Sequence, residues 1–145
     1  MSTRSLIGIE LLDGKVKNVY CHWDGYRQKP GVGWKLLNHY MGQEKVEELI
    51  GYGNISSLKA NIGEKHDMYK DFDLTIKKNW TSFYIRDTKG VVGRVDAANE
   101  AKISTYEDLI DELKYSIDYV YVFRPKTGKW YFSMGANFRL LKIND

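Results

Sequence analysis

The sequence predicts a single α+β domain spanning residues 1–145, built on an antiparallel sheet from an N-terminal hairpin, a central hairpin and C-terminal strands. We expect this sheet to pack against two short helices and one longer amphipathic helix. Three observations predict the class: hairpin patterns near both ends of the chain, and an apolar stripe at helical spacing after Ser104. A chain of 145 residues is long enough to bury a core of its own.

The N-terminal hairpin is the strongest local signal. Residues 6–12 and 15–22 flank the Asp13-Gly14 dipeptide, which is typical of a two-residue turn between antiparallel strands. Such a turn places Glu10 opposite Lys17 as a cross-strand ion pair. Period-two alternation then predicts one apolar face, formed by Ile7, Ile9, Leu11, Val16 and Tyr20. We expect His22 on the Tyr20 face, at the end of this apolar row.

The middle of the chain predicts helices followed by a central hairpin. Apolar residues at helical spacing indicate short helices at residues 34–41 and 43–50. Residues 59–71 are polar and predict an exposed loop, in which His66 would be solvated. Apolar residues alternate with polar ones over residues 72–76, as in a half-buried strand, and residues 80–87 are predicted as its antiparallel partner. Residues 90–100 are predicted to be irregular.

A helix and three strands are predicted in the C-terminal third. Ser104-Thr105-Tyr106-Glu107 fits a capping box with Ser104 as the cap and Glu107 reaching back. One apolar stripe follows, formed by Tyr106, Leu109, Ile110, Leu113 and Ile117. Residues 119–123 and 129–133 predict a hairpin, and residues 138–143 predict a final strand.

Composition narrows the classes of partner. A net charge of +3 is too small to indicate a DNA-binding surface, and the apolar runs are too short to span a membrane. The single cysteine, Cys21, excludes an internal disulfide and favours a cytoplasmic location. Eleven Tyr and four Trp predict an aromatic ligand wall or a subunit interface, so we expect a homodimer to be feasible.

The segment from Tyr20 to Tyr26 carries the richest chemistry. It places His22 and Asp24 where a predicted strand ends, and such loops often carry binding or catalytic groups. An imidazole near a carboxylate suits acid–base catalysis, metal ligation or polar-ligand recognition, and the alternative to all three is a turn at Asp24 beside a half-buried His22. Cys21 is expected to be a buried, inert thiol, because adjacent strand residues point to opposite faces.

Two further groups could contact an anionic ligand. Gly31 and Gly33 open the predicted Trp34 helix, and free amides at a helix start can hold a phosphate, although a flexible entry loop is the alternative. Arg86 could clamp a carboxylate or phosphate, or form a surface ion pair with Asp87 or Glu100. The predicted ligand-binding residues are therefore His22, Asp24, Tyr26, Gly31, Gly33 and Arg86. The three histidines have no paired-ligand spacing, so we expect neither a metal site nor a cofactor.

The chain also resembles a family of small bacteriophage and prophage proteins with a Tyr-Cys-His-Trp-Asp-Gly-Tyr motif. The resemblance rests on residues 19–26, Gly33, residues 36–40, 44–50, 53–58 and 84–87, and on the elements at 118–121 and 128–130. Arg27 stands where that family has proline after Asp-Gly-Tyr, and no Gly-Glu pair follows Arg86-Asp87. The resemblance implies a phage accessory protein that acts on host defence or host metabolism.

Three functions fit the sequence. The first is a non-enzymatic counter-defence protein that binds or sequesters a nucleotide-like small molecule through an aromatic pocket with a few polar anchors. The second is a small hydrolase or nucleotide-processing enzyme that uses His22 and Asp24 as catalytic residues. The third is an inhibitor that binds a host defence protein through exposed Tyr and Trp side chains. We favour the first function, without catalysis.

Overall fold

In the computed structural model, a mixed β-sheet lies between helices on both of its faces. The structure describes residues 2–88 and 96–142. The strands in this part of the chain are β1 (Ser5–Glu10), β2 (Val16–Cys21), β3 (Ile55–Ser57), β4 (Ser82–Phe83), β5 (Lys102–Ser104), β6 (Tyr119–Arg124), β7 (Lys129–Ser133) and β8 (Arg139–Leu140). The helices there are α1 (Val32–His39), α2 (Gln43–Gly51), α3 (Phe72–Lys78), α4 (Tyr84–Asp87) and α5 (Tyr106–Glu112), with a 3-10 turn at Asp96–Asn99. The α+β class is confirmed.

Strands β1 and β6 lie at the centre of the sheet. The strand order is β4-β3-β2-β1-β6-β7-β8, and β5 pairs with β2 outside this path. Strand β1 pairs antiparallel with β2 but parallel with β6, and β2 pairs parallel with β3. The prediction of a purely antiparallel sheet is therefore wrong. Distant segments of the chain meet in parallel here, which no local turn signal can reveal.

The sheet has a separate core on each face. On one face, Ile7, Val19 and Tyr121 pack against buried side chains of α1 and α2. On the other, Leu6, Val16, Val120 and Val122 pack against Leu109 of α5 and against Ile117. Residues of the central strands alternate between these two cores, so both faces of β1 and β6 are buried.

The register of the N-terminal hairpin differs by one residue from the prediction. The Leu11 amide donates to the Lys15 carbonyl at 2.7 Å, and Gly14 adopts φ +85°, so the turn contains three residues. Strand pairing then places Glu10 opposite Val16, and Ile9 opposite Lys17. A shift of one residue exchanges the two faces of a strand. The predicted single apolar face is therefore wrong.

This register also moves the partner of Glu10. The predicted ion pair with Lys17 is wrong, because the two residues do not lie opposite each other. Instead, Tyr106 Oη donates to Glu10 Oε2 at 2.6 Å, and Arg124 Nε lies 3.7 Å from the same oxygen. Burial, followed by the hydrogen bond to Glu10, raises the pKa of Tyr106 to about 12. These contacts join α5 to the ends of β1 and β6.

The predicted central hairpin is wrong. Residues 72–76 form most of helix α3, with Phe72 60% and Ile76 51% exposed, and β4 pairs with β3 instead. A five-residue alternation is too short to separate a strand from a helix with a weak apolar face. The missed signals are acidic Asp73 in the first turn and two lysines in the last, which favour a helix through its dipole.

The remaining elements agree with the sequence more closely. Helices α1 and α2 and the β6–β7 hairpin lie within two residues of their predicted positions. Helix α5 begins one residue later than expected, because Thr105 and Asp108, rather than Ser104 and Glu107, form the capping box. It spans 7 residues against 9 in α2, so the prediction that it is the longer helix is wrong. Residues 90–95 of the predicted irregular segment and residue 143 of the predicted last strand lie outside the described residues.

No helix in residues 2–88 and 96–142 is both long enough and apolar enough to cross a membrane.

Replacing Tyr106 by Phe tests the contact that the hairpin register creates. We expect Tyr106→Phe to lower the free energy of unfolding by about 1–3 kcal/mol, because Glu10 loses a hydrogen bond to its charged carboxylate. Urea unfolding measures the loss. The matched control is Tyr115→Phe, which changes a side chain that is 87% exposed and should leave stability unchanged. Equal stability of the two variants would contradict the assigned contact.

Candidate functional site

The loop that follows β2 is held by hydrogen bonds from three parts of the fold. The His22 amide donates to the Ile55 carbonyl at 3.0 Å, and the Gly25 amide donates to the Thr3 carbonyl at 2.8 Å. Tyr121 Oη donates to the Gly25 carbonyl at 2.6 Å from the centre of the sheet. Asp24 adopts φ +58°, an uncommon conformation for a residue other than glycine. The predicted turn at Asp24 is therefore part of a fixed loop.

Asp24 and Tyr26 are brought together by this turn. Burial, followed by the charge of the nearby Asp24 carboxylate, raises the pKa of Tyr26. The ammonium of Lys35 lies within the influence of the same carboxylate and donates to the Leu58 carbonyl at 2.9 Å. Burial, followed by repulsion from Lys59, lowers the pKa of Lys35. The Asp24 carboxylate therefore lies near the positive charges of Lys35 and Lys59, and these charges can help to bind a charged ligand.

His22 contacts Tyr20 rather than Asp24. Its Nδ1 atom lies 2.7 Å from Tyr20 Oη, and its ring contacts Trp23 edge-on at 4.5 Å between centroids. Burial, and then the nearby Arg4 charge, lower the pKa of His22. In the described part of the chain no hydrogen bond joins His22 to Asp24. The geometry does not support the acid–base pair that the sequence suggested.

A groove of about 450 Å³ opens beside this loop. It lies between the loop after β2, the end of β3 and helix α3. Its lining residues are Trp23, Asp24, Ser56, Ser57, Lys59, Met68, Tyr69, Phe72, Thr75 and Ser82. Trp23, Tyr69 and Phe72 are 45%, 67% and 60% exposed, so three aromatic rings are accessible around one carboxylate and one ammonium. We take this groove as the candidate site.

Gly31 and Gly33 hold the loop instead of offering free amides. The Gly31 amide donates to the Gln28 carbonyl at 2.6 Å, and the Gly33 amide donates to the Tyr26 carbonyl at 3.2 Å. The intervening Val32 amide donates to the Asp24 carbonyl at 2.7 Å. A phosphate would have to displace these bonds, so the expected amide cradle is not formed. Gly31 is required because a Cβ atom there would overlap the Tyr26 carbonyl oxygen.

Arg86 is anchored inside the protein and lines a different cavity from Trp23 and Asp24. Its Nε atom lies 2.9 and 3.1 Å from the two carboxylate oxygens of Asp87. Its terminal nitrogens donate to the carbonyls of Ile62, Gly63 and Thr81. Arg86 therefore joins three backbone segments, and its predicted role as a ligand clamp in a site shared with His22 is not supported. Its ion pair with Asp87 is buried rather than on the surface.

The predicted environment of His66 is also wrong. It was expected to be solvated, yet it is 7% exposed. Its Nδ1 lies 2.7 Å from the Glu64 carbonyl and 3.6 Å from Asp87 Oδ1, and its Nε2 lies 3.2 Å from Ser82 Oγ. Ser82 also lines the groove. Burial of His66 comes from tertiary packing, because the surrounding residues 59–71 are polar in sequence.

Sequence reasoning found one wall of the groove and missed the other. Asp24, which lines the groove, was predicted from its place after a strand, and Tyr26, predicted with it, is not a lining residue. Lys59, Tyr69 and Phe72 were assigned to an exposed loop and to a strand. The available signal was the spacing of Tyr69, Phe72 and Ile76, which places three large apolar side chains on one helical face.

Cys21 is buried and has no disulfide partner. Desolvation raises the pKa of its thiol to about 12, as expected for an inert cysteine. Among the described residues, no cluster of three or more His, Cys, Asp or Glu side chains is placed to hold a metal ion.

In comparisons with known proteins, no protein-family model, no curated protein and no solved structure matches this chain. The function proposed below therefore depends on the residues of the groove.

A Gly31→Ala substitution tests the structural role of the loop glycine. We expect it to lower the free energy of unfolding by about 1–3 kcal/mol, because the added methyl group must displace the Tyr26 backbone. Thermal or urea unfolding measures the effect. Gly51→Ala is the matched control, since Gly51 ends α2 with open space around its Cα and should tolerate alanine. A fully stable Gly31→Ala protein would refute the close approach.

The titration of His22 tests its surroundings. We expect its imidazole to titrate below the ordinary value of about 6.5, because burial and Arg4 both disfavour the cation. The folded protein then binds this proton less readily than the unfolded chain. Stability from this group is present above the unfolded pKa and is lost as the pH falls below it. Arg4→Gln should raise the midpoint measured by NMR, whereas Lys15→Gln at the exposed hairpin turn should not; an unchanged midpoint in Arg4→Gln would refute the influence of Arg4.

Proposed function

We propose that this protein binds a nucleotide-like small molecule in the groove between Trp23 and Phe72, without catalysis by His22 and Asp24. The observation that carries the proposal is the exposure of three aromatic side chains around Asp24 and Lys59 in one groove. Exposed aromatic rings are costly in water and suit a planar ligand that stacks on them. The groove volume of about 450 Å³ suits one small molecule.

Each part of a nucleotide has a counterpart in the lining. Trp23, Tyr69 and Phe72 offer faces for stacking of a base. The Asp24 carboxylate can accept hydrogen bonds from base amino groups or ribose hydroxyls, and the hydroxyls of Ser56 and Ser57 can donate or accept. The Lys59 ammonium provides a positive charge for a phosphate.

We favour sequestration of the ligand over a reaction that His22 and Asp24 catalyse. The His22 imidazole is hydrogen-bonded to Tyr20, and no hydrogen bond between His22 and Asp24 is found among the described residues. The resemblance to small phage proteins adds a biological setting: a counter-defence factor that captures a nucleotide signal inside an infected cell. Inhibition of a host defence protein through the same exposed aromatic residues is the outcome to consider if no small molecule binds.

A thermal unfolding panel tests this function. We expect at least one nucleotide, cyclic dinucleotide or ADP-ribose derivative to raise the melting temperature and to be recovered intact by chromatography. A ligand that binds only the folded state stabilises it by about 2.7 kcal/mol at a hundredfold excess over its Kd. Trp23→Ala and Phe72→Ala should remove the shift, because each deletes an exposed ring of the groove.

The matched control is Tyr115→Ala, which removes a ring that is 87% exposed and absent from the groove lining. It should keep the full shift. A shift that persists in Trp23→Ala and Phe72→Ala would place the ligand elsewhere. No shift with any ligand would refute the small-molecule function and direct the search to a host protein.

A further inference from the structure

We propose that Ser82 and His66, with the buried carboxylate of Asp87, form a nucleophilic centre that cleaves a carboxylic ester bound in the groove. The proposal rests on the proposed function only in using the same groove for the ligand. Ser82 lines that groove, and its Oγ lies 3.2 Å from His66 Nε2. None of the groups considered for catalysis from the sequence belongs to this centre.

The hydrogen bonds of His66 fix the tautomer that a general base needs. Its Nδ1 lies 2.7 Å from the Glu64 carbonyl oxygen, which can only accept a hydrogen bond. In the neutral imidazole, Nδ1 therefore carries the proton and Nε2 is a free acceptor. The Ser82 hydroxyl then donates to Nε2. A nucleophilic hydroxyl bonded to an oriented base is the arrangement that activates serine.

Asp87 supplies a fixed negative charge on the far side of the imidazole. Its Oδ1 lies 3.6 Å from His66 Nδ1, where a carboxylate helps to orient the imidazole. The carboxylate is fully buried and accepts hydrogen bonds from the amides of His66 at 3.2 Å and Phe83 at 2.8 Å. Arg86 Nε contacts both carboxylate oxygens and holds the group in place.

The lining of the groove defines the class of substrate. Met68 and Phe72 contribute apolar side chains to the lining, and Lys59 is its one cation among the described residues. An ester with an aromatic or nucleoside-like part would place that part on the exposed rings. The Lys59 ammonium can then stabilise negative charge on the carbonyl oxygen during attack.

The reaction proceeds in two balanced steps. Ser82 Oγ forms a bond to the ester carbonyl carbon while its proton moves to His66 Nε2. The bond to the alcohol oxygen then breaks, and the alcohol leaves with that proton, which gives an acyl-Ser82. In the second step, water adds to the acyl carbon while His66 Nε2 takes its proton. The bond to Ser82 Oγ then breaks and His66 returns the proton to that oxygen, so the products are the carboxylic acid and free Ser82.

A fluorophosphonate probe, followed by intact-mass spectrometry, tests the centre. Ser82 Oγ should form one bond to phosphorus with loss of fluoride, which gives one adduct per chain that peptide mapping places on Ser82. Ser82→Ala should lose the adduct, whereas Ser116→Ala, which alters an exposed hydroxyl outside the groove lining, should keep it. His66→Gln should slow labelling by about 100-fold, within the range that a general base contributes.

A steady-state assay with p-nitrophenyl esters separates chemistry from binding. His66→Gln should lower kcat and leave KM near that of the wild type, because the groove lining is unchanged. Ser82→Ala should remain folded, with a melting temperature lowered by no more than the loss of its hydrogen bond to His66 accounts for, and should show no hydrolysis above background. An adduct that persists in Ser82→Ala, an adduct mapped to another residue, or no adduct in the folded wild type would overturn the proposal.

These outcomes are distinct from those of the binding test. Ser82→Ala keeps all three exposed rings, so it should retain any thermal shift with nucleotides. A nucleotide shift without Ser82 labelling would leave a binding protein and refute the nucleophilic centre. Labelling of Ser82 without any nucleotide shift would support the centre and refute a nucleotide as the ligand.

Discussion

The fold depends on strand β1, because this strand pairs with a neighbouring strand on each edge and is buried on both faces. It pairs antiparallel with β2 and parallel with β6, and its residues alternate between two cores. Each side chain of such a strand has one correct face, so its register must be exact. The three-residue turn at Leu12 to Gly14 sets that register for β2. The direction in which the loop after β2 leaves the sheet follows from it.

The groove depends on this register and on a second, polar centre. Cys21 is the last residue of β2 and lies in the larger core. The amides of the next two residues, His22 and Trp23, donate hydrogen bonds to carbonyls of the neighbouring strand β3. The opposite wall is held by Asp87, whose carboxylate joins His66, Phe83 and Arg86. A buried carboxylate with several donors is stable only when its partners are all in place. One wall of the groove therefore depends on the register of the apolar strands, and the other depends on the buried ionic network around Asp87.

Polar groups that are used within the fold are not available to a ligand. The amides at the start of α1 and the guanidinium of Arg86 both appeared suited to an anion in the sequence, and both donate to protein oxygens. The accessible groups are those at the rim: the three rings, Asp24, Lys59 and the hydroxyls of Ser56 and Ser57. This division between internal and accessible donors is what separates the candidate site from its supporting structure.

Local patterns in the sequence determined the α+β class, helices α1 and α2, the β6–β7 hairpin and the turn at Asp24, because each depends on neighbouring residues. The same patterns misplaced the hairpin register, the residues of α3 and the environment of His66. Packing energy, rather than the spacing of residues, decides the length of the hairpin turn, whether a segment with a weak apolar face becomes a helix, and whether a polar loop is buried. The parallel pairing of β1 with β6, 114 residues along the chain between Ser5 and Tyr119, has no local signature. Only the tertiary structure could bring Ser82, His66 and Asp87 together beside Asp24, because their contacts join segments that the sequence keeps apart.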